Sequence, residues 1–321
     1  AGVNIGHYEK GWHTTSTIGV IAAAGAAARL AGLDTNGVQR ALSLGFSHAS
    51  GSKLQFGTMA KPLHVGMAAK NALMAARYAE VGVSAVAEPL DKAWGFRDLY
   101  VGFDASPGFA DAAGLLGPPL AIERYGLKVK IHADCASTHC AVDGLLALMA
   151  EHRLGADDID TIETVVNKIT YDNLMFADPA SELEARFSMQ YGIALAVTKG
   201  ALKLTDFRPE ALADETVRAW LPRVKMTLSP AGDPLPTADN GREPAHVFIR
   251  TKDGRQFDIF MQRAKGVLQN PLSEDEMWAK FDDCVEGIID PARAADVRSR
   301  LETFETLDDV GDLMRLLSAA S

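Results

Sequence analysis

Residues 57–66 read GTMAKPLHVG and place Lys61 and His64 three positions apart where a helix is predicted to begin. Proline is tolerated in the first turn of a helix and breaks later turns. The run from Met67 to Glu80 is rich in strong helix formers. At such a helix N-terminus, unpaired backbone N–H groups and the helix dipole favour an anion. An ordinary first turn with a solvated lysine is the alternative for this segment taken alone.

The residues before this stretch also predict helices. Hydroxyl groups at residues 14–17 begin a small-residue helix that ends at Gly32, and its neighbours must approach closely. A second helix follows the cap at Asp34. From Ser84 to Phe109 the pattern predicts short helices interrupted by prolines and glycines.

Beyond residues 114–119, where Gly and Pro predict a boundary, the pattern is of mixed type. It predicts a helix capped by Thr138, a strand, a longer helix, a second strand and a hairpin with an Asp-Gly turn, over residues 139–152, 159–169, 181–203, 224–228 and 246–260. Helices follow to the end, with a Ser273/Glu276 capping box, an Asp290 cap and a last helix over 308–317. The predicted fold is mainly α with an α+β insertion: a helical domain at 1–116, a smaller α+β domain at 117–265 and a return to helices at 266–321.

Composition excludes several classes of protein. A chain of 321 residues with 47% apolar residues is expected to form two globular domains. The Ala-rich run from Ile18 to Leu30 is too short to cross a membrane. The net charge of −10 comes mostly from residues 266–321, which carry 5 basic and 13 acidic side chains, so nucleic acid is not an expected partner. The odd count of 3 cysteines favours reduced thiols and a cytoplasmic location.

Three further clusters carry side chains suited to chemistry. Residues 130–139 contain Lys130, Cys135 and His139, but the second ligand pair that zinc requires is missing, so no metal is predicted and acid–base work is the better interpretation. Burial of the cysteine and capping by the histidine is the structural alternative. His13, at a predicted helix N-terminus, is expected to stay neutral. Tyr191 could donate a proton, or could simply pack on its helix.

Taken together, these segments resemble the MmgE/PrpD family. The resemblance rests on GWHT at 11–14, on GTMAKPLHVG at 57–66, on the spacing of Lys130, Cys135 and His139, on ARFSMQY at 185–191 and on NPLS at 270–273. The family includes 2-methylcitrate dehydratases, cis-aconitate decarboxylase and an iminodisuccinate epimerase. The resemblance implies a large helical domain with a smaller α+β lid, a site in the cleft between them, a homodimer, and no metal or organic cofactor. It also implies further helices before Trp12 that this chain does not contain.

By this resemblance, the catalytic candidates are His13, Lys61, Lys130, Cys135 and Tyr191. The substrate-binding candidates are Thr58, His64, His139 and Gln190. Cys135 stands where the decarboxylase has a second histidine. The substrate is expected to be a small anionic carboxylic acid, because the chemistry common to the family moves a proton next to a carboxylate and needs cations there.

Three functional hypotheses follow. The first is a cofactor-independent lyase of the dehydratase type acting on a di- or tricarboxylic acid. The second is an epimerase or racemase of an imino- or aminodicarboxylate that uses the same pocket. The third is a non-catalytic or partner-dependent helical protein. Incorporation of solvent deuterium into recovered substrate separates the first two, because an epimerase exchanges the proton in every turnover.

Overall fold

The computed structural model describes residues 4–103, 114–232, 235 and 243–318, with only the backbone described at residue 4. The helices are α1 Asn4–Glu9, α2 Thr14–Leu30, α3 Thr35–Phe46, α4 Ala60–Glu80, α5 Ala121–Tyr125, α6 His139–His152, α7 Lys168–Asn173, α8 Glu182–Ala185, α9 Met189–Lys199, α10 Pro209–Leu212, α11 Glu215–Arg218, α12 Glu274–Val285, α13 Pro291–Glu302 and α14 Val310–Leu317. The strands are β1 Ile159–Val166, β2 Val224–Leu228, β3 Ala245–Thr251 and β4 Gln256–Met261. This is the mainly helical fold with a small α+β part that the sequence predicts.

Helices α2, α3 and α4 pack against one another through small side chains. A Cβ atom at Gly45 on α3 would lie 2.9 Å from the Cβ atom of Ala24 on α2, so these two helices touch almost backbone to backbone. The predicted close approach is confirmed. The Asp34 cap is confirmed too, because its carboxylate accepts a 2.7 Å hydrogen bond from the Gly37 backbone N–H.

The segment that follows α4 is less regular. Residues 97–101 form one π-helical turn, and Phe96 before it is completely buried between α2 and α4. The end of the helical pattern predicted up to Phe109 lies outside the described residues.

The strands form a single mixed sheet in the order β2-β1-β3-β4. β1 is parallel to β2 and antiparallel to β3, and β3 and β4 form the predicted hairpin. Helix α6 packs on β3 and β4, where Gly144 allows close contact: a Cβ atom there would lie 3.1 Å from Val247 and from Ile259. The main apolar core of the described chain lies between this sheet and helices α6 and α9.

Two predicted boundaries in this part are wrong. The strand predicted to reach Ile169 ends at Val166, because the Asn167 side chain accepts a 2.9 Å hydrogen bond from Thr170 N–H and caps α7 instead. The helix predicted over 181–203 is divided into α8 and α9, because Ser188 has an extended backbone and accepts a hydrogen bond from Tyr191 N–H to begin a new helix.

The C-terminal helices begin as predicted. Ser273 and Glu276 form a reciprocal capping box at α12, and Asp290 caps α13 by accepting from Arg293 N–H. The segment before α12 returns to the α+β part, where Val129 N–H donates a 2.8 Å hydrogen bond to Gly266 O. Among the helices in the described ranges, none combines the length and apolar character that a membrane span requires. The domain boundaries at 116 and 265 stay predictions.

Candidate functional site

His13 and His64 form one part of the candidate site. His13 directly precedes α2, where its backbone N–H donates to Gly51 O at 3.0 Å. Its Nδ1 atom lies 2.9 Å from Nδ1 of His64, which is on α4, and its ring meets Phe56 edge-on. Burial, together with the positive charges of His64 and Lys61, lowers the pKa of His13 to about 4. His13 is therefore neutral at neutral pH, as predicted from its position.

Lys61 lies in the first turn of α4, as the sequence predicts. Its Nζ atom lies 5.0 Å from the ring centroid of Phe56 and 4.5 Å from that of Phe187, so the ammonium rests on two aromatic faces. Burial lowers the pKa of Lys61; Cys135 opposes this effect, and the charge of Lys130 adds to it. The α4 N-terminus thus lies near the cluster at residues 130–139.

Lys130 and Cys135 face the same region from the segment before α6. The Lys130 ammonium donates a 2.8 Å hydrogen bond to Asp134 O. The Cys135 thiol donates to Ser137 Oγ at 3.5 Å. Burial raises the pKa of Cys135 and the charge of Glu243 adds to this, while Lys130 lowers it. The thiol is therefore protonated at neutral pH and can act as a proton donor.

Four residues that sequence reasoning missed complete this cluster: Tyr8, Lys53, Asn173 and Glu243. Lys53 is only 8% exposed and its Nζ atom lies 3.8 Å above the Tyr8 ring. Asn173 accepts from Tyr8 OH at 2.9 Å and donates to Glu243 Oε1 at 3.3 Å. In the sequence these residues lie in unrelated segments, so no local signal joins them.

The predicted residue His139 lies behind the cluster. It is completely buried, its Nε2 atom lies 3.1 Å from Asp134 Oδ1, and its ring meets His132 edge-on. Thr138 occupies the N-cap position of α6 as predicted, but its hydroxyl donates to Asp134 Oδ2 at 2.6 Å and makes no capping bond. His139 and Thr138 thus hold the Asp134 side chain in place. The backbone carbonyl of Asp134 accepts the hydrogen bond from the Lys130 ammonium, so these contacts help to position that ammonium.

Three other predicted residues lie in different surroundings. Thr58 is exposed, and its hydroxyl accepts a 3.2 Å hydrogen bond from Ala60 N–H where α4 begins. The Tyr191 hydroxyl is buried in the main core and donates to Asp206 O at 2.8 Å. Gln190 lines a separate cavity of about 350 Å³ together with Arg218. These positions favour a local turn contact for Thr58 and packing for Tyr191.

The electrostatic character of the cluster is set by three lysines: the charge of Lys130 lowers the pKa of Cys135, and Cys135 in turn raises the pKa values of Lys53 and Lys61. Burial lowers the pKa of Lys53 and of Lys61 because each ammonium has lost water. Incompletely hydrated cations gain much from a carboxylate ligand, since charges interact strongly where water is scarce. In the described ranges, no three His, Cys, Asp or Glu side chains are grouped so as to hold a metal ion.

Comparison with known proteins finds relatives named cis-aconitate decarboxylases. A cis-aconitate decarboxylase of Mus musculus is 27% identical over 318 residues, which cover 97% of this chain and 63% of that protein. The Homo sapiens enzyme of the same name is 28% identical over 319 residues, which cover 97% of this chain and 64% of that protein. A cis-aconitate decarboxylase of Aspergillus terreus is 21% identical over 320 residues, covering 96% and 65%. The chain thus spans between 63% and 65% of the length of these curated relatives.

Two family descriptions match the chain in order. Residues 1–106 match the MmgE/PrpD N-terminal domain, and residues 132–305 match the MmgE/PrpD C-terminal domain. The second match alone covers more than half of the 321 residues. The chain therefore belongs to the MmgE/PrpD family.

Proposed function

We propose that this protein is a cofactor-independent lyase that acts on a small tricarboxylic acid by moving a proton at a carbon next to a carboxylate. The observation that carries the proposal is that Lys53, Lys61 and Lys130 each interact electrostatically with Cys135. Relatives named cis-aconitate decarboxylases support a tricarboxylic acid as the substrate class.

In this proposal the three ammonium groups bind the substrate carboxylates. Charge that accumulates next to a carboxylate during proton removal is stabilised by cations already in place, which costs no rearrangement during the reaction. The neutral His13 is suited to accept the proton, because its pKa of about 4 leaves a ring nitrogen lone pair free of a proton at neutral pH.

The test is turnover of cis-aconitate and of citrate by the purified chain in D₂O, followed by proton NMR, with the Lys61→Met variant beside the wild type. Methionine keeps the packing on Phe56 and Phe187 but removes the charge. We expect a loss of about 100-fold in kcat/KM, the usual effect of removing one group that stabilises developing charge. Lys70→Met is the matched control, because Lys70 is exposed on the same helix.

The products distinguish the related reactions. Loss of CO₂ from cis-aconitate indicates decarboxylation, and loss of water from citrate indicates dehydration. Deuterium in recovered substrate without any net product would favour the epimerase instead. If the wild type bound and turned over no di- or tricarboxylic acid, or if Lys61→Met matched Lys70→Met, the proposal would be wrong.

Assembly and location also stay predictions. The family resemblance implies a homodimer, and the odd count of cysteines favours a cytoplasmic location. Light scattering on the purified chain at several concentrations measures its mass and tests the dimer directly.

A further inference from the structure

Glu243 is a carboxyl group that neither the motifs nor the family resemblance identify. It directly precedes Pro244 and strand β3, and its side chain is mostly buried. Its Oε1 atom accepts a 3.3 Å hydrogen bond from Asn173 Nδ2. The hydroxyl of Ser137 also approaches the carboxyl group.

The orientation of Asn173 is fixed by its other partners. Its Oδ1 atom accepts from Tyr8 OH at 2.9 Å, and its Nδ2 atom also donates to Ser137 Oγ at 3.0 Å. With the carbonyl oxygen engaged by Tyr8, the two N–H bonds of the amide point to Ser137 and Glu243. Asn173, which is 2% exposed, therefore holds the carboxyl group in one place.

Ser137 joins this carboxyl group to the thiol of Cys135. The thiol donates to Ser137 Oγ at 3.5 Å, and the same hydroxyl approaches Glu243. The charged side chains that act on Glu243 are Lys128, Lys130 and Lys53. Thus Ser137 bonds to the thiol and approaches the carboxyl group, and Lys53 and Lys130 of the candidate site act on that carboxyl group.

Burial favours the protonated form of Glu243. Loss of water raises its pKa, and this effect exceeds the opposing ones of Lys128, Ser137, Lys130 and Lys53. A carboxyl group whose pKa is raised by its surroundings is suited to general acid catalysis.

We propose that Glu243 is the proton donor of this site, held in position by Asn173 and Ser137. The proposal rests on the proposed lyase function. In elimination of water, the Glu243 O–H bond breaks as the substrate C–O bond breaks, and the proton joins the departing hydroxyl to form water. A base takes the carbon-bound proton and later returns it through solvent to the Glu243 carboxylate. In decarboxylation, the C–C bond electrons left on the substrate carbon take the Glu243 proton and form a C–H bond.

The first test is Glu243→Gln, which keeps the size and the acceptor for Asn173 but has no acidic proton. We expect kcat on the substrate identified above to fall about 100-fold, with KM changed less than about threefold, as for removal of one general acid. In the wild type, kcat should fall at high pH because Glu243 loses its proton. In Glu243→Gln this fall should be absent. Glu243→Asp should recover part of the rate. Glu163→Gln, on β1 and bonded to Thr227, is the matched control.

A different role for Glu243 would give a different result. If the carboxyl group only balances the charge of the lysines, Glu243→Gln should bind substrate more tightly at unchanged kcat, and the proposal would be overturned. Equal kcat and KM in the two proteins would overturn it as well. A wild type that turns over no carboxylic acid would refute the lyase function itself, which is a separate and recognisable outcome.

A second measurement needs no turnover. In a Cys284→Ser background, which removes the exposed thiol, the rate of Cys135 alkylation by iodoacetamide is measured against pH. The charge of Glu243 raises the pKa of Cys135, so Glu243→Gln should move the alkylation profile to lower pH. An unchanged profile would show that the two groups do not face each other and would overturn the proposal.

Discussion

The Nδ1 atoms of His13 and His64 lie 2.9 Å apart, so one ring donates the single shared proton and the other accepts it. Both nitrogens cannot carry a proton at this distance without repulsion. The Lys61 ammonium adds a further positive charge whose effect reaches His13. The pair is therefore neutral at neutral pH.

The first prediction concerns stability in acid. His13 binds a proton near pH 6.5 when unfolded and near 4 when folded, so between these values the unfolded chain holds more protons. Above pH 6.5, His13 makes its full contribution to the free energy of unfolding. This free energy should decrease by about 3 kcal/mol as the pH falls from 6.5 to 4. Urea unfolding across this range measures it. In His13→Gln the dependence of the unfolding free energy on pH should be smaller by about one bound proton. The dependence that remains should include a contribution from His7, because burial also lowers the pKa of His7 to about 4. Equal slopes in the two proteins would contradict the assignment.

The second prediction concerns the thiol of Cys135. Burial raises its pKa, so alkylation at neutral pH should be slow compared with the exposed Cys284. Lys130 lowers the pKa of this thiol, so Lys130→Met should slow its alkylation further at every pH below the thiol pKa. Mass spectrometry of alkylated peptides follows each cysteine separately. An equal alkylation rate in Lys130→Met and the wild type would show that Lys130 does not act on the thiol.

The third prediction concerns Tyr191, which the resemblance implies to be catalytic. Its hydroxyl donates to Asp206 O inside the main core, so Tyr191→Phe should lower the free energy of unfolding by about 1 kcal/mol, the usual value of one hydrogen bond. Turnover should change less than about twofold, within what such a packing change allows. Unfolding in urea and steady-state kinetics measure the two effects. A large loss of kcat with unchanged stability would restore the catalytic interpretation.

Local signals predicted most of the fold, because caps and turns act over a few residues. Asp34, Ser273 and Asp290 each accept the backbone hydrogen bond that their sequence context predicts. The end of β1 was missed because the β-branched pattern continues to Ile169, while the Asn167 side chain begins a helix. The β propensity of single residues does not show that a helix cap at Asn167 will override the alternating β-branched pattern around it.

The candidate site was predictable only where a helix start or the family resemblance marked a residue. Lys61 and Lys130 were marked in these ways. Lys53 looks like any surface lysine in its loop, and its burial against Tyr8 depends on packing between distant segments. Glu243 lies 70 residues from the amide that holds it. The direction in which a side chain points is set by tertiary contacts, which also explains why Tyr191 faces Asp206.

The last prediction concerns Gly266, which connects the fold to the lysines of the site. Its φ of 89° is in the region that favours glycine, and its carbonyl accepts from Val129 N–H between Lys128 and Lys130. A Cβ atom at Gly266 would lie 1.9 Å from Val129 O, a contact with backbone that only movement of the segment can relieve. Gly266→Ala should therefore displace Lys130 and weaken substrate binding as well as stability.

Gly254 provides the matched control, because its φ is 88° and a Cβ atom there would have no neighbour within 4 Å. Gly254→Ala should cost about 1 kcal/mol of backbone strain and leave carboxylate binding unchanged. Gly266→Ala should cost at least about 2 kcal/mol more in urea unfolding, since the clash adds to the same strain. Calorimetric titration with the carboxylic acid measures binding. If the two variants bind alike, the position of Lys130 does not depend on the contact between Gly266 and Val129.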